Sequence, residues 1–191
     1  IFLCGGPAPP DGPCASARHF FHRYLQNHRP QLAARVRLAE TIDKWFQNDR
    51  DAAFSDLLEL ENYLANLASL TILFLESPGA IAELGAFAAS TDLCPKTLAV
   101  VNERFAEDSS FIAHGPLRRI RNACHAHLHV YPWNDADLSL ASTTEELTAM
   151  SSDIADAIEL EDSQRPKQVA FNNSPGQVLL LIVDLVRIPG V

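Results

Sequence analysis

Apolar residues fall into two kinds of run along this chain. Short unbroken runs, Ile1 to Cys4, Leu70 to Leu75 and Thr97 to Val101, carry β-formers and no charge. Such runs suit strands buried on both faces of a parallel sheet. Between them apolar residues recur at three- and four-residue steps, as on one face of a helix. Phe20, Phe21, Tyr24 and Leu25 do so after Ser16, then Leu57, Leu60, Leu64 and Leu67, then Leu147, Met150, Ile154 and Ile158. The pattern predicts a helix over 55–68 capped by Ser55. It predicts another from Ala80 to Ser90, opened by Pro78-Gly79, and a late helix behind a capping box of Ser142 and Glu145. Val36-Arg37-Leu38 reads as a second strand, and the stretch from His127 to Trp133 as a further one. Proline and glycine fill residues 7–14, which excludes regular structure there.

Strand and helix therefore alternate, which predicts an α/β three-layer sandwich with a mostly parallel sheet. In that class ligands bind beyond the carboxyl ends of the strands. Gly5-Gly6, Glu40 and Glu76-Ser77 fall at such ends. We expect one domain over 1–162, a linker over 163–176 and the start of a further helical region over 177–191. The first and last residues lie in apolar runs, the pattern of a piece cut from a longer protein.

Composition narrows the picture. With 15 basic against 24 acidic residues the 191-residue chain carries a net charge of −9, which argues against a general nucleic-acid binder. Arg118, Arg119 and Arg121 form its densest basic cluster, and residues 134–164 hold nine acids and no base, as on a solvated helix face. Cys4, Cys14, Cys94 and Cys124 have irregular spacing and no Cys-x-x-Cys pair, so we read them as reduced thiols of a cytoplasmic protein. No signal-peptide pattern is visible, and no apolar run reaches the roughly 18 residues of a membrane span.

Several residues carry candidate chemistry. Gly5-Gly6 would let a phosphate or ribose approach the backbone, since no Cβ intervenes. The helix after Ser16 offers free N–H groups to an anion, with the Ser16 hydroxyl and the Arg18 guanidinium beside them. A plain turn and a surface arginine explain the same residues, because the spacing is not Gly-x-Gly-x-x-Gly. Glu83 has two readings as well. It is an acid in the first turn of a helix, favoured by the macrodipole, or a carboxylate facing a ligand beyond the preceding strand. His125, His127 and His129, if on one strand, share a face, and such neighbours rarely converge tetrahedrally on zinc without a fourth ligand from elsewhere. Edge-strand histidines are the better reading, and we expect no metal site.

Taken together, some of these motifs carry a family likeness. They are Phe-Leu-Cys-Gly-Gly (Phe2 to Gly6), Ser16-x-Arg18, Leu60-Glu61-Asn62, Glu76-Ser77-Pro78-Gly79, Glu83-Leu84-Gly85-Ala86-Phe87 and Gly115-Pro116. Residues 1 to about 122 resemble the nucleoside 2-deoxyribosyltransferase-like family, a Rossmann-like fold, and especially the effector subunits of type II-A bacterial retrons. The resemblance implies that Glu83 is the nucleophile at the anomeric carbon. It implies a substrate site around Cys4, Gly5, Gly6, Ser16, Arg18, Glu40, Glu61, Asn62, Glu76, Ser77, Gly79 and His114. It implies cleavage of the N-glycosidic bond of NAD, which is a substrate and not a cofactor, as a toxic antiphage response. It further implies an oligomeric assembly with a reverse transcriptase and its multicopy RNA–DNA hybrid, away from membranes.

Cleaving such a bond builds positive charge on the sugar, which carboxylates stabilise or trap. Glu83 must be ionised for this, and Gly79 and Gly85 would leave room for the sugar. Ser77 stands where the deoxyribosyltransferases place an aspartate that meets the leaving base. Nicotinamide is already cationic in NAD and needs no strong acid, so the departure leans toward NAD. A nucleoside or nucleotide N-glycosidase, a deoxyribosyltransferase, and a nucleotide-binding sensor without chemistry are the alternatives.

Overall fold

The computed structural model describes residues 1–38, 40, 56–106, 109–134, 138 and 141–164. Five strands form one sheet, in the order β2-β1-β3-β4-β5, and every neighbouring pair is parallel. They are β1 (Phe2–Cys4), β2 (Arg37–Leu38), β3 (Thr71–Leu75), β4 (Thr97–Asn102) and β5 (Leu128–Tyr131). The helices are α1 (Ala17–His28), α2 (Pro30–Ala33), α3 (Leu57–Leu67), α4 (Pro78–Ala89), α5 (Glu103–Ala106), α6 (Arg118–Ala123) and α7 (Ala141–Gln164). The expected three-layer α/β sandwich is the observed one, Rossmann-like in its alternation.

The period-2 geometry of strands divides their side chains between two cores. Leu3, Ile72, Phe74, Leu98 and Val100 point to the face covered by α1 and α7, where they meet Phe21, Leu25, Leu147, Met150, Ile154 and Ile158. Cys4, Leu73, Leu75, Ala99 and Val101 point to the face covered by α3, α4 and α6, against Ala65, Leu84, Phe87 and Ile120. β3 and β4 are buried along their whole length, so the unbroken apolar runs are explained by cover on both faces. The acids of α7 lie largely on an exposed face, as their run suggested, and several pair with arginines there. Asp156 and Glu159 pair with Arg29 at 3.1 and 3.7 Å, and Asp162 pairs with Arg35.

Several boundaries differ from expectation. Asp56 caps α3 by accepting from the Glu59 N–H, while Ser55 lies outside the described residues. Leu57 is 44% exposed and so leaves the inward stripe of α3, which buries Leu60 and Ala65. α4 begins at Pro78 with Ser77 as its cap, two residues before the expected start. α7 begins at Ala141, so Ser142 is inside the helix and does not cap it. That helix runs to Gln164, past the domain end expected at 162. The rest of the linker and the region from 177 lie outside the described residues. His125 and His127 belong to a short 3-10 turn and only His129 is in β5, so the three histidines do not share a strand face. The ring of His127 lies 3.2 Å from Glu161 and that of His129 lies 3.4 Å from the Tyr131 hydroxyl. Among the described residues no group of three or more candidate ligands could hold a metal ion. No described helix is long and apolar enough to cross a membrane. All four cysteines are free.

Two glycines make opposite demands. Gly5 has φ +145°, and a Cβ there would lie 2.8 Å from Cβ of Phe74. Gly85 is helical, and its Cβ would meet no described atom within 4 Å. Gly5→Ala is expected to destabilise by about 2 kcal/mol or more. Gly85→Ala is expected to stabilise by about 0.5–1 kcal/mol, the helical advantage of alanine. Urea midpoints of the two variants check both signs.

Candidate functional site

The helices after β1 and β3, α1 and α4, pack on opposite faces of the sheet. In a sheet of order 2-1-3-4-5 this opens a crevice at the carboxyl ends of β1 and β3. Glu76 follows β3 directly and reaches back across that crevice. Its Oε1 accepts from the N–H groups of Gly6 and Arg18, each at 3.0 Å, and its Oε2 from the Ala17 N–H at 2.7 Å. Burial pushes its pKa above the ordinary value even against those three donors. Glu76 is thus a clamp between the Gly5-Gly6 turn and the start of α1. The free N–H groups expected there for an external anion are taken by this carboxylate.

Ser16 is the N-cap of α1: it accepts from the His19 N–H at 2.9 Å and donates to the Pro7 carbonyl at 2.8 Å. Its hydroxyl is therefore engaged within the chain. Arg18 is 3% exposed, which removes the surface reading. It forks onto Glu40 at 2.6 and 3.0 Å and donates to the Leu3 carbonyl at 3.2 Å.

In front of these residues lies a cavity of about 890 Å³, lined by Cys4, Gly5, Gly6, Arg18, Glu40, Glu61 and Glu83. A proline-rich edge, Pro7 to Pro10, and one face of α1 complete its wall. Glu83 sits six residues after the cap of α4, beyond the first turn where the helix dipole acts. The expected help from that dipole is therefore replaced by the opposite influence. Burial, and next the Glu61 carboxylate, push the Glu83 pKa up to about 7, partly opposed by Arg18 and by a hydrogen bond from Cys4. Its Oε2 is buried with no hydrogen-bond partner among the described residues. Burial and the nearby Glu83 raise the Cys4 thiol well above its usual value. Cys4 therefore stays protonated and serves as a neutral donor. Such a carboxylate, desolvated and half-titrated at neutral pH, is chemically suited to act as nucleophile or proton acceptor.

Not every residue of the expected site comes together here. Ser77 spends its hydroxyl on the Ala80 N–H at 3.1 Å. Gly79 does not line the cavity, and Gly85 and His114 line a separate groove with Phe111, Pro116, Arg118 and Arg119. Asn62 lines a third depression with Asp56, Tyr63 and Asn66, because one residue of helix turns it about 100° away from Glu61. Arg119 donates to the Ala88 carbonyl at 3.4 Å. The cavity also holds residues that the motifs did not flag: His19, His22, Arg23 and Gln26 of α1. Their spacing of 19, 22, 23 and 26 is a polar helical stripe, the signal opposite the apolar face.

The sequence model of a family described as STM3845 retron effector protein matches residues 14–190. A retron Ec73 protein of Escherichia coli is 36% identical over 123 residues, covering 63% of this chain and 37% of the relative. A retron Ec86 protein of the same organism is 35% identical over 130 residues, with the same shares. Both carry the provisional name ribosyltransferase/DNA-binding protein. The chain thus spans little more than a third of the length of these curated relatives.

Two stability measurements follow from the carboxylates. Glu76→Ala would strand three N–H groups, two at the start of α1 and one in the Gly5-Gly6 turn, and is expected to cost at least about 2 kcal/mol, read from a urea midpoint. Glu83→Gln removes a charge whose folded-state pKa is raised. The wild type therefore loses stability as pH climbs from the ordinary carboxylate value to about 7. The variant should be more stable by roughly 1–3 kcal/mol at pH 8, with the difference gone near pH 4.5. Thermal midpoints across that range check this, and an equal gain at both ends would trace to packing alone.

Proposed function

The chain belongs to the STM3845 retron effector family, and from that premise we propose that it is an N-glycosidase that hydrolyses NAD to nicotinamide and ADP-ribose. One observation carries the reading: the Glu83 carboxylate lines the cavity with a buried oxygen that no described group satisfies. The Glu83 carboxylate attacks the anomeric carbon of the nicotinamide ribose. The C–N bond breaks, its electron pair moves to the pyridinium nitrogen, and nicotinamide leaves neutral. Water then attacks the ribosyl ester, releases ADP-ribose and a proton, and restores the carboxylate. Glu61, on the same cavity wall, stabilises the cationic sugar and receives that proton. Glu40, oriented by Arg18, accepts from a ribose hydroxyl.

Among the described residues, the two expected near the leaving base, Glu76 and Ser77, are both engaged within the chain, which supports a cationic leaving group. Glu76 is held by three N–H donors and Ser77 caps α4. A neutral purine would need protonation to leave. A second reading, a nucleoside or nucleotide N-glycosidase or a deoxyribosyltransferase, is compatible with the word ribosyltransferase in the relatives' names. Within a retron, the effector would act in antiphage defence, assembled as an oligomer with the reverse transcriptase and its multicopy RNA–DNA hybrid.

Chromatography after incubation of the protein with NAD is expected to give nicotinamide and ADP-ribose, far faster than it gives free base from deoxyadenosine. Faster cleavage of the deoxynucleoside would move the assignment to the second reading. Glu83→Gln should lower turnover by at least about a thousandfold; equal turnover would remove Glu83 from the chemistry. Since the nucleophile must be ionised, kcat/KM should rise with pH through about 7. In Glu61→Gln that rise should move to lower pH, because a repelling charge has gone.

A further inference from the structure

The cavity has walls of opposite charge. Glu40, Glu61 and Glu83 line one part of it, and α1 brings His22, Arg23 and Gln26 to another. These three lie at steps of one, three and four residues on a single helix face. Arg18 is committed to Glu40 and to Leu3, but Arg23 makes no ion pair among the described residues. Its one hydrogen bond is a long contact of 4.0 Å to Cys14 Sγ. An arginine on a cavity wall without a carboxylate is a vacancy for an anionic ligand.

The usual place for a phosphate in this fold class is the N-terminus of the first helix. Here Glu76 fills it, so a phosphate there would meet a buried carboxylate. An anionic substrate group must be recognised further along the helix, and the face at 22, 23 and 26 is about one and a half to two and a half turns on. The volume of about 890 Å³ also exceeds what a nucleoside needs and stands near the top of the range for small-molecule sites.

We propose that His22, Arg23 and Gln26 form a phosphate-recognising subsite, and that the substrate of this cavity is a nucleotide glycoside bearing a pyrophosphate or phosphate, not a free nucleoside. The proposal rests on the glycosidase reading for the position of the reacting sugar, which lies at the Glu83 end. Arg23 provides the fork that a pair of phosphate oxygens accepts. The His22 ring, held below its usual pKa by burial and then by Arg18, and the Gln26 amide add neutral donors.

Calorimetric titration of the full-length protein with ADP-ribose and with adenosine tests the subsite without turnover. ADP-ribose is expected to bind at least tenfold more tightly than adenosine. Arg23→Gln should weaken ADP-ribose at least tenfold and adenosine little, and Arg23→Lys should restore part of the loss. Equal weakening of both ligands, no effect of Arg23→Gln, or no binding of ADP-ribose would each overturn the subsite. A kinetic arm compares NAD with nicotinamide riboside, which has the same scissile bond and no phosphate. The ratio of their kcat/KM values should favour NAD and fall at least tenfold in Arg23→Gln, through KM. Cleavage of NAD with a ratio insensitive to Arg23 sinks the subsite and leaves the glycosidase standing. Arg23-dependent binding of ADP-ribose without any cleavage sinks the glycosidase and leaves the subsite standing.

Discussion

A single buried carboxylate holds the functional end of this fold together. Glu76 leaves the end of β3 and takes three backbone N–H groups from the turn after β1 and from the first turn of α1. The two helix donors would otherwise be orphans at a buried helix start, so the interaction satisfies both partners at once. It joins segments 58 to 70 residues apart. It also sets the angle at which α1 crosses the crevice, which turns Arg18 inward and the stripe from His19 to Gln26 along the cavity wall. The cost is that the helix start cannot serve a ligand.

The remaining charges are arranged around that constraint. Arg18 is buried beneath the cavity and neutralised by Glu40, whose own side chain is 39% exposed at the rim. Burial, and next the Glu61 carboxylate, raise the Glu83 pKa, and Arg18 opposes this only in part. Cys4 fits the same economy: a protonated thiol donates to Glu83 without adding another charge. In the proposed chemistry the cost of ionising Glu83 would favour its reaction, because a carboxylate with poor solvation gains by bonding to carbon.

The layers of the fold were legible in the sequence because period and cover are local properties. Runs such as Leu70 to Leu75 have no charged residue to face water, so cover on both sides suits them, and parallel strands between helices are the economical solution. Helix ends were read less well. Ser55 and Asp56 are both good caps, and Ser142 looked like a cap but sits inside α7. Which hydroxyl or carboxylate terminates a helix depends on where packing stops the chain, and the capping letters do not encode this. His125, His127 and His129 would share a face only on one strand, and the turn that follows α6 keeps two of them outside β5.

For the site, the sequence by itself determined the strand ends, the Gly5-Gly6 turn and the position of Glu83 one helix turn beyond a Pro-Gly start. These follow from residue types that only certain backbone positions accept. Only the tertiary structure decided which polar groups meet. It sent Glu61 into the cavity and Asn62 away from it, gave His114 and Gly85 to another groove, and brought in His22 and Arg23. It also turned Glu76 from a substrate ligand into a clamp. The reason is that a side chain's partner is chosen by contacts distant in sequence and by a helical rotation of about 100° per residue. A motif read along the chain carries neither.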